Sequence, residues 1–109
     1  MQLQVYRVSL DVVRGVGGLA GRIGRVDADL ARQLRRAASS VPLNIAEGEC
    51  AIGGNRRSRF DTARGSAKES VACLEVAVAM GYLAENDIAA VVDGFARVAA
   101  TLTNLMRRG

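Results

Sequence analysis

The chain contains no histidine and no tryptophan, and only two of its 109 residues are cysteines. Histidine is the most frequent general base and a frequent zinc ligand, so its absence argues against a hydrolase and against a zinc site. Cys50 and Cys73 are too few for a disulfide framework, and we interpret both as reduced thiols. The composition therefore predicts no catalytic residue, no metal site and no cofactor.

Proline and aromatic residues are also scarce. There is one proline, Pro42, together with two Phe and two Tyr. All-β proteins are rich in turn residues and alternating apolar positions, and neither signal is present here. The N-terminus lacks a basic region followed by an apolar run, and no apolar stretch approaches the ~20 residues that span a bilayer. We therefore expect a cytoplasmic protein with no membrane partner.

Small aliphatic residues are abundant, and they recur every three or four positions over four segments, as in helices that bury one face. The segments run from about Leu3 to Gly24, from Asp27 or Asp29 to Glu47, from Arg56 to Met80, and from Glu85 to Arg108. Gly48 fits a helix stop, and residues 49–55, which include two glycines, are predicted to form a loop. Four such segments with short links predict an all-α protein, an up-down-up-down four-helix bundle that forms one domain over residues 1–109.

The apolar spacing also predicts which residues face the core. The expected buried stripes are Val5, Val8, Val12, Val16, Leu19, Ile23 and Val26; Leu30, Leu34, Ala37, Val41 and Ile45; Phe60, Ala63, Ala67, Val71, Leu74 and Val78; and Ile88, Val91, Phe95, Val98, Leu102 and Leu105. Glycines in the first segment weaken that helix, each by roughly 1 kcal/mol relative to alanine, and indicate that a neighbouring helix approaches closely.

Pro42 lies in the middle of the second stripe. Inside a helix, proline removes one backbone hydrogen bond and clashes with the carbonyl four residues earlier, here that of Ala38, at a cost of ~3 kcal/mol. The sequence therefore predicts a kink or a break at this position. We expect Asn44 or an arginine side chain to donate to the carbonyls that Pro42 leaves free.

Four sequence stretches occur in an order that resembles a known family. They are residues 33–48, residues 56–60 (Arg-Arg-Ser-Arg-Phe), residues 63–69 (Ala-Arg-Gly-Ser-Ala-Lys-Glu) and residues 80–83 (Met-Gly-Tyr-Leu). Over about residues 28–109 the chain is similar to the bacterial four-helix bundle family once called S23 ribosomal protein. Members of that family include proteins encoded in intervening sequences of 23S ribosomal RNA genes and the accessory variability determinants of diversity-generating retroelements.

The resemblance implies a closed homo-oligomer, a homopentameric barrel with a basic surface. The retroelement branch also implies binding to a reverse transcriptase and to nucleic acid, whereas the ribosomal-gene branch implies no known activity. Half of the residues are apolar, and a self-associating surface could absorb that excess.

The basic residues are unevenly distributed and give the main functional lead. Residues 1–59 contain ten arginines against five acidic residues, whereas residues 60–109 contain five basic and six acidic residues. The alternative to a binding role is a salt-bridged helix surface, with Asp61 paired to Arg57 or Arg64. We predict a surface that binds the phosphate backbone of RNA or DNA, made of Arg35, Arg36, Arg56, Arg57, Arg59, Arg64 and Lys68.

Other functional patterns are weaker. Residues 15–20 satisfy Gly-x-Gly-x-x-Ala, but neither the preceding strand nor the following acidic residue of a dinucleotide site is evident. A helix-turn-helix centred on Gly81 and Tyr82 would place an acidic helix in the major groove, so we reject it. Three hypotheses remain: an oligomeric accessory protein that binds nucleic acid, a structural or protein-interaction ring, and, more distantly, an enzyme. Acid–base catalysis by Glu47 with Glu49 belongs to the third.

Overall fold

A computed structural model describes residues 3–108; Met1, Gln2 and Gly109, which belong to the predicted domain of residues 1–109, lie outside the described residues. Four α-helices and no strand are present in this part of the chain. They are α1 Gln4–Gly24, α2 Ala28–Cys50, α3 Gly53–Ala79 and α4 Glu85–Arg107. The all-α prediction is confirmed.

The helices are long relative to the molecule, and the links between them are short. α3 has 27 residues, which corresponds to a length of about 40 Å, and the largest dimension of the described chain is 43 Å. Each helix must therefore reverse the direction of the one before it. Consecutive helices pack against each other, and α4 returns to pack against α1. The result is a four-helix bundle, whose assembly with further copies stays a prediction.

Glycine and valine interlock where α1 meets α4. A Cβ atom on Gly15 would lie 2.8 Å from Cγ2 of Val91, and one on Gly94 would lie 2.6 Å from Cγ2 of Val12. Both distances are shorter than packed carbon atoms allow, so each glycine makes room for a valine of the other helix. The predicted close approach is thus confirmed at Gly15, whereas three other glycines of α1 have no atom near the Cβ position.

The link between α2 and α3 is shorter than predicted. α2 continues past Gly48 and α3 begins at Gly53, so the expected loop of residues 49–55 shrinks to residues 51–52. Gly48 is therefore not a helix stop; its lack of a side chain leaves space for the ring of Phe60 instead. The chain turns instead at Gly53, whose φ of +60° is a conformation that glycine adopts readily.

The core contains most of the predicted stripes, with corrections in α1 and α3. Val26 is 66% exposed, because α1 ends before it and the residue lies in the turn that follows. Two serines, Ser9 and Ser70, are fully buried instead; each donates its hydroxyl to a backbone carbonyl of its own helix and is thereby satisfied. Partly buried positions at the edge of the core are Val8, Val71, Val78 and Leu105.

α2 is continuous through Pro42, so of the predicted kink or break the break is absent, and the kink stays a prediction. The expected hydrogen-bond donor also lies elsewhere. Asn44 Nδ2 donates to the carbonyl and hydroxyl oxygens of Ser40, at 2.9 and 3.0 Å, and not to the carbonyl of Ala38. Pro42 and its core-facing neighbours are buried, and this tertiary packing holds the helix together despite the lost backbone bond.

Polar contacts join the two turns at one end of the bundle. Asp27, one of the two predicted starts of the second segment, caps α2, and its second carboxylate oxygen accepts from Tyr82 Oη at 3.0 Å. Asp87 accepts from the first amide before α4, that of Ala84, and pairs with Arg22 of α1 at 3.2 Å. The hydrogen bond to Asp27 raises the pKa of Tyr82, and the hydrogen bond from Arg22 lowers the pKa of Asp87.

Candidate nucleic-acid interface

Arg56 lies at a structural junction. Its guanidinium carbon lies 4.8 Å from the centroid of the Phe60 ring, and Nη1 donates to the carbonyl of Gly48 at 3.4 Å. The cation–π contact and the hydrogen bond tie the end of α2 to the first turns of α3. Arg56 therefore stabilises the junction of α2 and α3, a role that helical spacing does not indicate.

Two other predicted residues form ion pairs. Arg59 pairs with Glu47 at 2.9 Å, and Arg64 pairs with Asp61 while donating to Thr103 Oγ1 at 3.1 Å. Of the two partners predicted for Asp61, Arg57 and Arg64, the structure therefore shows Arg64. The Arg59–Glu47 pair is exposed, and such a pair contributes about 0–1 kcal/mol, so Arg59 can exchange Glu47 for another anion at low cost.

The remaining predicted residues are exposed and make no ion pair with any residue between positions 3 and 108. They are Arg35, Arg36, Arg57 and Lys68. An unpaired guanidinium presents five donors in a planar fork that matches the geometry of phosphate. These four side chains therefore provide positive charge that is available to a ligand.

Three arginines from two helices line one cleft, which we call the arginine cleft. Arg57 and Arg64 of α3 and Arg107 of α4 border a volume of about 660 Å³ between the start of α3 and the end of α4. Arg107 is absent from the predicted set, because its place in the last turn of α4 fits the helix dipole equally well. Arg107 could have been included from the antiparallel arrangement of α3 and α4, which brings the end of one helix beside the start of the other.

A mainly apolar surface, which we call the α3–α4 groove, follows the same two helices beyond the arginine cleft. Its middle is lined by apolar residues of both helices together with Lys68, and its far end carries Glu75 and Glu85. α4 supplies much of it, since only 28% of the most apolar stretch of α4 is buried. The residues that line the middle include Val71, Val92, Phe95, Ala96 and Ala99.

α4 is also the one helix of residues 3–108 that is long and apolar enough to cross a membrane. This differs from the expectation that no stretch of the sequence meets that criterion. A core helix of a bundle meets it as well, and Asp93 and Arg97 would place two charges inside such a span, which is costly in a bilayer. We interpret α4 as a bundle helix with one side on the α3–α4 groove.

The two glutamates considered for acid–base catalysis are engaged in structural contacts. Glu47 is paired with an arginine, and Glu49 Oε1 accepts from the backbone amide of Leu3 at 2.8 Å. Cys73 is buried, and burial, followed by the charge of Glu69, raises the pKa of its thiol. No group of three or more His, Cys, Asp and Glu side chains that could hold a metal ion occurs among residues 3–108.

The bundle resembles a solved structure. That structure is a protein with unknown function from the S23 ribosomal protein family of Bacteroides thetaiotaomicron, and the TM-score is 0.86. The two chains are 18% identical in sequence, over 94% of this chain and 97% of that one. At this identity the likeness concerns the fold alone. No curated protein matches the chain.

The sequence also matches a family model, that of the 23S rRNA-intervening sequence proteins, over residues 1–104. The match includes α1 as well as the stretches from residue 28 onwards that carry the resemblance. The resemblance to this family is thereby confirmed. The chain therefore belongs to the 23S rRNA-intervening sequence protein family.

Proposed function

We propose that the protein is a non-enzymatic, cytoplasmic accessory protein that binds the phosphate backbone of nucleic acid. The observation that carries the proposal is the arginine cleft, where arginines of α3 and α4 converge. Each phosphate that such a residue neutralises releases counterions, which favours binding. Arg35, Arg36 and Lys68 provide exposed positive charge outside this cleft, and Arg36 lines a separate cleft between α2 and α3.

Two residues of the predicted surface contribute differently. Arg56 is committed to Phe60 and Gly48, so its replacement would weaken the fold before it weakened binding. Arg59 can reach a phosphate by exchanging its ion pair with Glu47, at the low cost of an exposed pair.

Binding should tolerate differences in nucleotide sequence. Phe60 and Phe95 are each 1% exposed, and Tyr6 and Tyr82 are half-buried, so no fully exposed aromatic side chain among residues 3–108 can stack on a base. Contacts to phosphate fix the position of a strand but carry no sequence information directly. We therefore expect similar affinity for strands of different sequence.

A salt titration tests the proposal. Affinity for a labelled single-stranded RNA and a duplex DNA is measured by fluorescence anisotropy at increasing salt, and log affinity should fall linearly with log salt. Arg57→Gln combined with Arg107→Gln should weaken binding to all sequences alike and reduce the slope by about 2, one unit for each lost contact. The control combines Arg7→Gln with Arg97→Gln, which removes the same charge outside the cleft and should preserve the slope.

Circular dichroism establishes that each variant remains helical before the slopes are compared. A wild-type protein without measurable affinity at low salt would contradict the proposal and favour the protein-interaction alternative. If both double variants lost affinity equally, the phosphate contacts would lie outside the arginine cleft.

We also propose that the protein forms a closed homo-oligomer, with the homopentamer as the form that the resemblance implies. The α3–α4 groove supports this, because its apolar lining is only partly covered within one chain and a second copy would cover it. In the alternative function, such a ring makes protein contacts only. A reverse transcriptase is the proposed partner in the retroelement branch, and a reverse transcriptase gene beside the gene for this chain would support that assignment.

A further inference from the structure

We infer that the arginine cleft binds a terminal phosphomonoester of a nucleic-acid strand in preference to the internal phosphodiesters. The inference rests on the proposed function and specifies the chemical group that the cleft holds. Three properties of the cleft lead to it: the charge of its lining, the way in which Arg64 is held, and the surroundings of the start of α3.

The charge of the lining matches a dianion. Arg57, Arg64 and Arg107 contribute three positive charges and Asp61 contributes one negative charge, so two positive charges remain. A phosphomonoester carries about −1.5 to −2 charges at neutral pH, with a second pKa near 6. Each internal phosphodiester carries a single negative charge. A terminal phosphate therefore neutralises the cleft, whereas an internal phosphate does so only in part.

Arg64 is already oriented before a ligand arrives. Its two terminal nitrogens donate to Thr103 Oγ1 at 3.1 Å and to Asp61 Oδ1 at 2.5 Å. A guanidinium held in this way loses little rotamer freedom on binding, which favours affinity. Arg57 and Arg107 are exposed and make no ion pair among residues 3–108, so both can close on the bound phosphate.

The start of α3 adds further groups that suit a phosphate and its nucleotide. Gly54, in the first turn of α3, and Ser58 line the cleft, and no side chain caps the first turn of this helix. The positive end of the helix dipole therefore reinforces the charge of the arginines. Met106 adds an apolar residue to the lining of this open cleft.

The test compares three oligonucleotides of one sequence: one with unmodified ends, one with a 5′-phosphate and one with a 3′-phosphate. At about pH 7.5 at least one phosphorylated strand should bind roughly tenfold more tightly than the unmodified strand, the effect of one added charge-assisted hydrogen bond. The difference should shrink at about pH 5.5, where the phosphate takes up its second proton.

Variants then assign the preference to the cleft. Arg107→Gln should remove the preference for the phosphorylated strand, and Arg57→Gln should do the same if Arg107→Gln does not fold. Arg97→Gln, on the same helix but outside the cleft, should retain it.

Two failures can be told apart. Equal binding of all three strands by the wild-type protein, or an undiminished preference in folded Arg107→Gln, would overturn the inference and leave the proposed function standing. No binding of any strand would overturn the proposed function itself.

Discussion

At the scale of single residues, the corner between α2 and α3 depends on an aromatic ring held between a glycine and an arginine. A Cβ atom on Gly48 would lie 2.5 Å from Cε1 of Phe60, and the guanidinium of Arg56 covers the ring. Phe60 is 1% exposed, so the ring has little free space into which it can move. The short link between the helices therefore requires a residue without a side chain at position 48.

Gly48→Ala should lower the free energy of unfolding by about 1–3 kcal/mol, the usual cost of overpacking a closed core. The matched control is Gly65→Ala, because Gly65 lies inside α3, is exposed and has no atom within 4 Å of the Cβ position. There the added methyl group should raise the free energy of unfolding by roughly 0.5–1 kcal/mol, since alanine favours a helix more than glycine does. Urea denaturation followed by circular dichroism measures both changes. Stabilisation by both substitutions would show that the ring of Phe60 moves aside.

At the scale of the helices, the turn after α1 and the turn after α3 are coupled through Asp27 and Tyr82. The carboxylate of Asp27 accepts a hydrogen bond from the neutral phenol and repels the ionised one, which raises the pKa of Tyr82 above its ordinary value of 10.0. The folded-state pKa therefore exceeds that of the unfolded chain. It follows that this bond stabilises the fold fully below about pH 10 and is lost as the pH rises through the higher folded-state pKa.

The Tm measured by thermal unfolding should therefore decrease as the pH is raised from about 8 to about 11. Tyr82→Phe should be less stable than the wild type at the lower pH and should show a smaller decrease on going to the higher pH. Tyr6→Phe is the control, because the Tyr6 hydroxyl has no hydrogen-bond partner among residues 3–108 and its variant should keep the wild-type profile. Parallel profiles for the wild type and Tyr82→Phe would contradict the coupling.

The sequence predicts the number and the type of the helices and, to within a residue, the ends of α1 and α3 and both ends of α4, but not the junction between α2 and α3. Regular spacing of large aliphatic side chains in α2 and α4 shows which face is buried. α3 instead buries small residues such as Ser70 and Ala77, so its buried face has little hydrophobic contrast in the sequence. The close approach of Phe60 of the next helix to Gly48 is a tertiary contact and leaves no local signal.

The sequence predicts which single basic residues are exposed, but not which of them lie together on one surface. Helical spacing correctly indicates that Arg35, Arg36 and Lys68 are exposed. The place of Arg107 beside the arginines of α3 depends on the packing of α3 against α4, and the structural role of Arg56 depends on its contacts with residues before and after it. Such contacts lie outside what periodicity within one helix can show.

At the scale of the whole molecule, the two proposed interfaces lie along the same pair of helices. The arginine cleft lies at one end of α3 and α4, the apolar middle of the α3–α4 groove follows, and Glu75 and Glu85 lie at the other end. A second copy that covered the apolar middle would leave the cleft at the rim of the contact, where charged groups stay in water. Assembly is therefore compatible with phosphate binding at the arginine cleft, whereas Lys68, which lines the groove, would lie within the contact.

Ala96→Arg should disrupt the proposed homo-oligomer, because it places a charged side chain in the apolar middle of the α3–α4 groove. Light scattering at micromolar concentration should then give a smaller mass than that of the wild type. The control is Ala90→Arg, since Ala90 is an exposed residue of α4 that does not line the groove, and this variant should keep the wild-type mass. A monomer mass for the wild type would contradict the assembly, and an unchanged mass for Ala96→Arg would place the interface elsewhere.

The glycine–valine contacts between α1 and α4 also bear on the order in which the chain folds. They join residues that are far apart in the sequence, Val12 with Gly94 and Gly15 with Val91, whereas every other pair of packed helices is joined through a short turn. Closing a long loop costs more conformational entropy than closing a hairpin. We therefore expect the hairpins to form first, and the α1–α4 contact, the least extensive of the four, to form last and to open first. A partly unfolded form with α1 detached from α4 is the excited state that this connectivity makes most accessible.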